Sequence, residues 1–363
     1  EAHTFTVTVQ QDTGSGYVNV PDGTAVTVDV TPSGFTSVSN SCASPGTVAG
    51  QCTRVINSTS AAVYTASATA NLTINGVPVT VTTDGTGDNS ANSVKTYVDA
   101  KIAIDPPSAY NKVGDPHTLT ATVQGKIGNG AFAPLSGQTV TFTVTSGVAT
   151  FVGGTNTCST NASGQCSVQI NSNTPGANTV KAAVDAQVST EVIHRETDST
   201  HGSSGPATKT YVKAKIVLSP NATNQVDEAH TFTVTVQQDT GSGYVNVPDG
   251  TPVAVTVLPA GFTSVSNSCA APGTTAGQCT RVINSASAGV FTANATANLT
   301  INGVPVTVTT DGVGDNSAAS VKTYVDAKIA IDPPSAYNKV GDPHTLTATV
   351  QSKIGNGAFT ALS

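Results

Sequence analysis

The stretch "HTFTVTVQ", residues 3–10, decides the fold class because its polar and apolar residues alternate without a break. Successive side chains of a β-strand point to opposite faces, so this alternation predicts a strand with one buried face. The same eight residues recur at 230–237, and the variant "HTLTATVQ" occurs at 117–124 and 344–351. A similar strand therefore opens four successive segments of the chain.

The chain is built from two alternating types of unit. Residues 1–136 align with 228–363 without a gap and differ at 16 of 136 positions. A weaker similarity relates the intervening segment to both copies, and fixed-period self-similarity is typical of a linear array of modules. The predicted units are residues 1–100 (type A, lacking its first strand), 101–213 (type B), 214–327 (type A) and 328–363 (the first strands of an incomplete type B). We expect the sequence to be a window on a longer periodic chain.

The composition favours sheets. Charged residues make up 10% of the chain and aromatic residues 5%, and Met and Trp are absent. Abundant β-branched residues suit pleated sheets. The net charge of −7, without a basic stripe, argues against a nucleic-acid partner. No apolar run approaches the roughly 18 residues of a membrane helix, so this segment has no predicted membrane span.

The two type A copies test the strand prediction at residues 25–33. They differ at the five odd positions, whereas the valines at even positions are unchanged between the copies (Val26, Val28 and Val30; Val253, Val255 and Val257). Because a strand alternates its faces, the varied side chains are predicted to face solvent and the valines to face a core.

About seven short alternating segments in each unit suggest a β-sandwich. The segment 134–184 carries "GQTVTFTV", the turn "TNASGQ" and the turn "TPGANTVKA". With these motifs it resembles a bacterial immunoglobulin-like (Ig-like) domain of group 1, the invasin and intimin type. The resemblance implies tandem Ig-like antiparallel β-sandwiches in a linear rod. It also implies a stalk or adhesin arm, since members of this family typically stack in that way.

The six cysteines form three close pairs, each within one unit. The pairs are Cys42 with Cys52, Cys158 with Cys166, and Cys269 with Cys279. Zinc would need further ligands nearby, and a redox switch would need groups that lower a thiol pKa. We therefore predict three local disulfides, each stapling a hairpin-like loop, and an oxidising extracellular or cell-surface location.

The junctions between units predict a semi-rigid rod. The segment "TYVDAKIAIDPP" runs the last strand of one unit into the first strand of the next without a Gly/Ser linker. At about 3.3 Å per residue, sandwich strands would advance the rod by roughly 70–80 Å per long repeat.

Two polar loops are candidate metal sites. The loop at 82–93 and its copy at 309–320 carry calcium candidates Asp84, Asp88, Asp311 and Asp315, although the same residues are ordinary turn formers. The type B insert at 191–209 places His194, Glu196, Asp198 and His201 together, but a solvated Ser/Gly-rich loop is the simpler interpretation. No cofactor is predicted.

Recurring His and Lys residues raise two further questions. His3, His117, His230 and His344 open the same strand in each unit, and a polar group capping the strand end accounts for them. A Lys–Asn isopeptide bond, which occurs in some surface Ig-like modules, needs a Lys and an Asn or Asp facing each other in a core, with an acidic helper. Lys101, Lys215 and Lys328 are the candidates because they open a strand at each junction, but the sequence supplies no partner for them.

The sequence predicts a structural protein rather than an enzyme. It contains no G-x-S-x-G, no H-E-x-x-H and no phosphate-binding glycine loop. The expected function is the repeat region of an extracellular filament, fibre or adhesin stalk, with neighbouring copies or repeats as partners. The alternative is a module that binds a host or surface glycan or a receptor through its loops. Lateral self-association is a third possibility, with Leu258 and Phe291 as contacts if they are exposed.

Overall fold

A computed structural model describes residues 1–362. Among these residues the regular structure consists of β-strands and one short 3₁₀ turn, Val152–Gly154. The prediction of an all-β fold is confirmed. No helix that could cross a membrane occurs in the described part of the chain.

The strands follow one another in four groups. The first group is β1 (Ala2–Thr8), β2 (Gln10–Asp12), β3 (Tyr17–Asn19), β4 (Val26–Thr31), β5 (Thr36–Asn40), β6 (Gln51–Asn57), β7 (Val63–Ile74), β8 (Val77–Thr82) and β9 (Ser93–Thr96). The second is β10 (Val98–Asp105), β11 (Ser108–Lys112), β12 (His117–Ile127), β13 (Ala133–Pro134), β14 (Thr139–Ser146), β15 (Thr150–Phe151), β16 (Thr157–Ser159), β17 (Gln165–Asn171), β18 (Gly176–Val188), β19 (Glu191–Glu196) and β20 (Ala207–Ser219).

The third group repeats the pattern of the first, and the fourth is short. The third is β21 (Ala222–Gln225), β22 (His230–Asp239), β23 (Val245–Asn246), β24 (Ala254–Leu258), β25 (Thr263–Asn267), β26 (Gln278–Asn284), β27 (Gly289–Ile301), β28 (Val304–Thr309) and β29 (Ser320–Asp332). The fourth is β30 (Thr347–Ile354) and β31 (Thr360–Ala361). We call these groups the first to fourth units; the predicted unit limits stay predictions.

The second unit is a sandwich of two sheets. One sheet has the order β10–β12–β17–β15, and the other has the order β16–β14–β18–β20. The chain changes sheet early, because β11 leaves β10 and pairs in parallel with the first half of β20. All other pairings in this unit are antiparallel.

The first and third units share a second version of this topology. In the third unit β22–β26–β25 faces β24–β27–β29, and the second half of β20 completes the first of these sheets by pairing with β22. In the first unit β1–β6–β5 faces β4–β7, and no strand within residues 1–362 pairs with the free edge of β1.

Each of the first three units has its own hydrophobic core. The largest fully buried apolar and aromatic side chains of the second core include Phe142, Leu119 and Tyr211, and those of the third include Phe232 and Tyr324. In the tested strand, Val26 and Val28 are buried while Thr27 and Asp29 are exposed. The alternation of faces predicted from the two copies is therefore confirmed.

Candidate functional site: the junctions between units

Each junction is a strand that serves two units. Residues Ala207–Tyr211 of β20 pair with β18 in the second unit, and Lys213–Ser219 pair with β22 in the third. The strand β29 joins the third and fourth units in the same way. Between the first two units, β9 and β10 are separated by Tyr97 alone. The backbone thus crosses from one sandwich to the next without a flexible linker.

A glycine turn adds a second contact at the junction between the second and third units. Gly241 has φ +114°, and a Cβ atom on it would clash with the Cα atom of Gly176 in the preceding unit. The equivalent residue of the first unit, Gly14, has φ +104° and nothing within 4 Å of its Cβ position. Both glycines have a positive φ, a backbone conformation that favours glycine. Only at Gly241 is the absence of a Cβ atom also needed for packing between units.

The other two junctions are closed by a turn of type B. The backbone N–H of Val63 donates to Asn129 Oδ1 at 3.4 Å, and that of Val290 donates to Asn356 Oδ1 at 3.3 Å. A Cβ atom on Gly128, next to Asn129, would meet Val63. Each junction therefore combines strand continuity with a close contact from the following unit.

Charged groups fasten the strand just beyond two of the junctions. In the third unit Asp315 Oδ2 accepts hydrogen bonds from Tyr244 Oη at 2.6 Å and from Lys213 Nζ at 2.9 Å. These bonds lower the pKa of Asp315. In the second unit Arg195 donates to Asp99 Oδ1 at 2.6 Å and to the carbonyl of Ala100 at 2.8 Å. Both contacts tie a loop or hairpin to the strand that leaves the junction.

The calcium candidates are engaged in their own loops or with Tyr and Lys. Asp84 accepts hydrogen bonds from the backbone and hydroxyl of Thr86, which lower its pKa. Asp311 accepts from the backbone of Val313 and from Asn316, with the same effect. Asp88 accepts from Tyr17, as its counterpart Asp315 does from Tyr244. In residues 1–362 no three or more His, Cys, Asp and Glu form a metal-binding group. A calcium site here stays a prediction.

The type B insert is more ordered than the sequence suggested. Glu191–Glu196 form β19, which pairs with β18, where a solvated loop was expected. His194 lies 2.7 Å from Asp185 and 3.5 Å from Glu196, and the hydrogen bond to Asp185 raises the His194 pKa. Asp198 instead accepts from Thr200. The insert therefore brings together two of the four predicted residues.

The recurring histidines are placed differently from a simple strand cap. His117 and His230 begin β12 and β22, whereas His3 lies inside β1 and His344 precedes β30. The Nε2 atoms of His117 and His230 are buried without a hydrogen-bond partner. Burial, with a contribution from the charge of Lys209, lowers the pKa of His117 to about 4. Burial also lowers the pKa of His230.

We expect His117 to make the second unit less stable in mild acid. Its pKa of about 4 lies below the ordinary value of 6.5. Between these two values the unfolded chain binds more protons than the folded chain, so the free energy of unfolding decreases as the pH is lowered. One pKa unit corresponds to about 1.4 kcal/mol, and because the ring is partly exposed we expect a loss of about 1 kcal/mol from pH 7 to 5. Chemical unfolding of the wild type and of His117→Gln measures this difference. Between pH 7 and 5, His117→Gln should lose less stability than the wild type. The control His201→Gln, which replaces an exposed histidine, should lose as much as the wild type. An equal loss in His117→Gln and the wild type would contradict the assignment.

The three lysines proposed for an isopeptide bond do not lie in a core. The amines of Lys101, Lys215 and Lys328 lie 4.5, 4.1 and 4.4 Å from the ring centroids of Phe132, Tyr244 and Phe359. A charged amine over an aromatic face at the protein surface is a cation–π contact. None of these three candidates is buried, so none of them faces a partner in a core. The core lysines are Lys209 and Lys322, with exposures of 1% and 0%.

The two candidate self-association residues differ in exposure. Leu258 is 64% exposed, whereas Phe291 is 5% exposed and belongs to the core of the third unit. The expectation for Phe291 therefore fails, and Leu258 remains a surface position.

The cysteines are paired as three disulfides, which are placed in two different ways. Cys158 lies on β16 and Cys166 on β17, which belong to opposite sheets. Cys42 bonds to Cys52 of β6, while the carbonyl of Cys42 accepts a hydrogen bond from β4 in the other sheet. The pair Cys269–Cys279 repeats this arrangement. The predicted hairpin staple fits Cys42–Cys52 and Cys269–Cys279, which close the loops between the paired strands β5 and β6 and β25 and β26. It is wrong for Cys158–Cys166, because β16 and β17 enter different sheets.

Family comparison decides the identity of the second unit. Residues 100–195 match the model of the bacterial Ig-like domain (group 1) family. The second unit is therefore similar to that family. This match confirms the resemblance predicted from its turns and strands. No curated protein matches the chain by sequence.

Solved structures of other proteins share limited similarity with the chain. The D0–D1 domains of intimin match at 19% identity over 61% of this chain and 97% of theirs, with a TM-score of 0.22. The Escherichia coli adhesin FdeC matches at 14% identity over 80% of this chain and 88% of its own, with a TM-score of 0.30. Invasin, a bacterial integrin-binding protein, matches at 13% identity over 98% of this chain and 68% of its own, with a TM-score of 0.27.

Sequence reasoning missed the glycine contact and the core lysines. Gly241 is indistinguishable from Gly14 in the sequence, because both lie in identical stretches. A signal for Lys209 was present, since Ala207, Lys209 and Tyr211 share one face of an alternating strand. The alternation of that strand therefore predicts a lysine in the core of the second unit.

Proposed function

We propose that the chain is a spacer in an extracellular or cell-surface stalk, adhesin arm or filament, in which repetition sets length and the junctions transmit force and orientation. The observation that carries this proposal is the strand β20, whose two halves pair in the sheets of successive units. Tension along the chain is then carried by backbone that is hydrogen-bonded on both sides of the junction.

Three further features support an extracellular structural role. Three disulfides are typical of oxidising compartments. Each of the first three units has a separate core, so one unit can unfold under load while the others remain folded. The near-identical type A copies favour a repeated spacer over a unique ligand-reading tip. Recognition of a glycan or receptor, and assembly with further copies, stay predictions.

Single-molecule pulling from the two ends tests the spacer function. We expect the units to resist unfolding and to open one at a time. The disulfide Cys269–Cys279 encloses a separation of 10 residues. At about 3.5 Å per extended residue, reduction should lengthen the step of the third unit by roughly 3–4 nm.

The same pulling experiment can also contradict the proposed spacer function. A chain that extends smoothly at low force, without separate steps, would contradict a load-bearing role. A double variant, Cys269→Ala with Cys279→Ala, is the matched control, because its third-unit step should no longer change on reduction.

A further inference from the structure

Lys209 occupies a position in the core of the second unit where an ammonium group is costly. It lies on β20 in the row of inward-facing residues, between Ala207 and Tyr211, which are 1% and 0% exposed. It takes part in none of the ion pairs found in residues 1–362. A buried, unpaired charge is strongly unfavourable. Burial accordingly lowers the Lys209 pKa to about 8.

The partner of this amine is a side-chain amide. Asn111 of β11 lies opposite Tyr211 in the parallel pairing with β20, so it lies on the same face as Lys209. Lys209 Nζ donates a hydrogen bond to Asn111 Oδ1 at 2.8 Å. The Asn111 Nδ2 group donates to the carbonyls of Asp115 and Pro116 at 3.3 and 3.1 Å. The amide is thus fixed, with its carbonyl directed to the amine and its nitrogen directed away.

A third polar side chain, His117, adjoins this pair in the chain. His117 has a buried Nε2 atom without a hydrogen-bond partner, and its low pKa keeps the ring neutral at pH 7. His117 directly follows Pro116, whose carbonyl accepts the hydrogen bond from Asn111 Nδ2.

The same set of residues recurs in the third unit. Lys322 is 0% exposed and its Nζ atom has no hydrogen-bond partner. Asn224 lies opposite Tyr324 in the parallel pairing of β21 with β29, as Asn111 lies opposite Tyr211. His230 again has a buried Nε2 atom without a partner. A core lysine, an asparagine on the adjacent parallel strand and a histidine therefore occur in both the second and the third unit.

We propose that Lys209 and Asn111 form an intramolecular isopeptide bond, which links β11 covalently to β20. The neutral Nζ atom attacks Cγ of Asn111, so that an Nζ–Cγ bond forms and the Cγ–Nδ2 bond breaks. One proton of the attacking amine passes to Nδ2, which leaves as ammonia. No oxidant or further reactant is required, and a neutral amide replaces the buried amine.

Intact mass of the wild-type chain tests the proposal directly. Loss of ammonia lowers the mass by about 17 Da, and reduction of the disulfides does not restore it. Trypsin locates the bond, because a linked Lys209 is not cleaved. The peptide 102–112 should then be found joined to the peptide 196–213. A wild-type chain without the deficit, or with free peptide 196–209 as the main product, would overturn the proposal.

Variants assign the chemistry to the named atoms. Lys209→Met removes the nucleophile, so it should abolish the joined peptides and the deficit of about 17 Da that belongs to this bond. Lys215→Met, on the same strand but with its amine over Tyr244, should retain them. Loss of the joined peptides in Lys215→Met, or their persistence in Lys209→Met, would contradict the assignment. Because the peptide map is read on the wild type, the test does not depend on the folding of a variant.

Discussion

Replacing Phe142 with alanine lowers the unfolding free energy of the second unit by about 3–5 kcal/mol, the range observed for large core aromatics. Phe142 is 0% exposed and lies opposite the small residue Ala182 in the pairing of β14 with β18. The neighbouring strands are held by their own ladders, so the site cannot collapse to fill the cavity. In a unit of this size we expect the corresponding calorimetric transition to move down by roughly 10–20 °C.

The control for this prediction lies in the same unit. Tyr110 is 45% exposed, and Tyr110→Ala should change the transition by far less. The transition of the third unit, with its separate core around Phe232, should stay in place. Equal shifts of all transitions in Phe142→Ala would mean that the units fold as one body and that the separate cores are not independent.

Removing the disulfide Cys269–Cys279 produces the second large effect. The bond closes a loop with a separation of 10 residues and joins β26 to a loop that is hydrogen-bonded to the other sheet. The chain-entropy estimate for such a loop is about 2–3 kcal/mol. The double variant Cys269→Ala with Cys279→Ala also leaves a small cavity, since both sulfur atoms are buried. We therefore expect a loss somewhat above that range, measured by denaturant unfolding.

Reduction separates the two contributions. The wild type with reductant loses the crosslink but keeps the sulfur atoms, so its third unit should be more stable than that of the double variant. The matched variant Cys158→Ala with Cys166→Ala should destabilise the second unit and leave the third unchanged. A third unit of equal stability with and without its disulfide would contradict the bridging role.

The strands could be predicted from the local alternation of polar and apolar residues. The contacts at the candidate sites could not, because they depend on which strands pair. The alternation around Val26 and Val28 was sufficient to predict a buried face, because a strand's period is a property of the chain alone. The continuous junction also followed from the sequence, since no linker separates the strands. Only Cys158–Cys166 departs from the predicted hairpin, because β16 and β17, although neighbours in sequence, enter different sheets.

The partner of Lys209 could not be predicted from the sequence alone. The inward position of Lys209 follows from the alternation of β20, but its partner Asn111 lies on a strand 98 residues away. Only the parallel pairing of β11 with β20 brings the two side chains together. The sequence instead favours the strand-opening lysines as isopeptide candidates, because they mark the junctions. In the structure these lysines contact aromatic rings.

The central claim is that the junctions hold successive sandwiches in a fixed orientation, and Gly241 provides its matched test. Gly241→Ala places a Cβ atom against Gly176 across the junction, whereas Gly14→Ala introduces the same backbone strain with nothing within 4 Å. Both variants keep the continuous strand β20. The pair therefore isolates the packing between units from the local cost of alanine at a positive φ.

Small-angle X-ray scattering of the two variants and the wild type measures the result. At roughly 70–80 Å per long repeat, the wild type should scatter as one extended particle with a maximum dimension of roughly 110–130 Å. Gly14→Ala should give the same curve, and Gly241→Ala should give a bent or more variable particle. A wild-type curve that requires a broad ensemble of bent shapes, or three identical curves, would contradict the account.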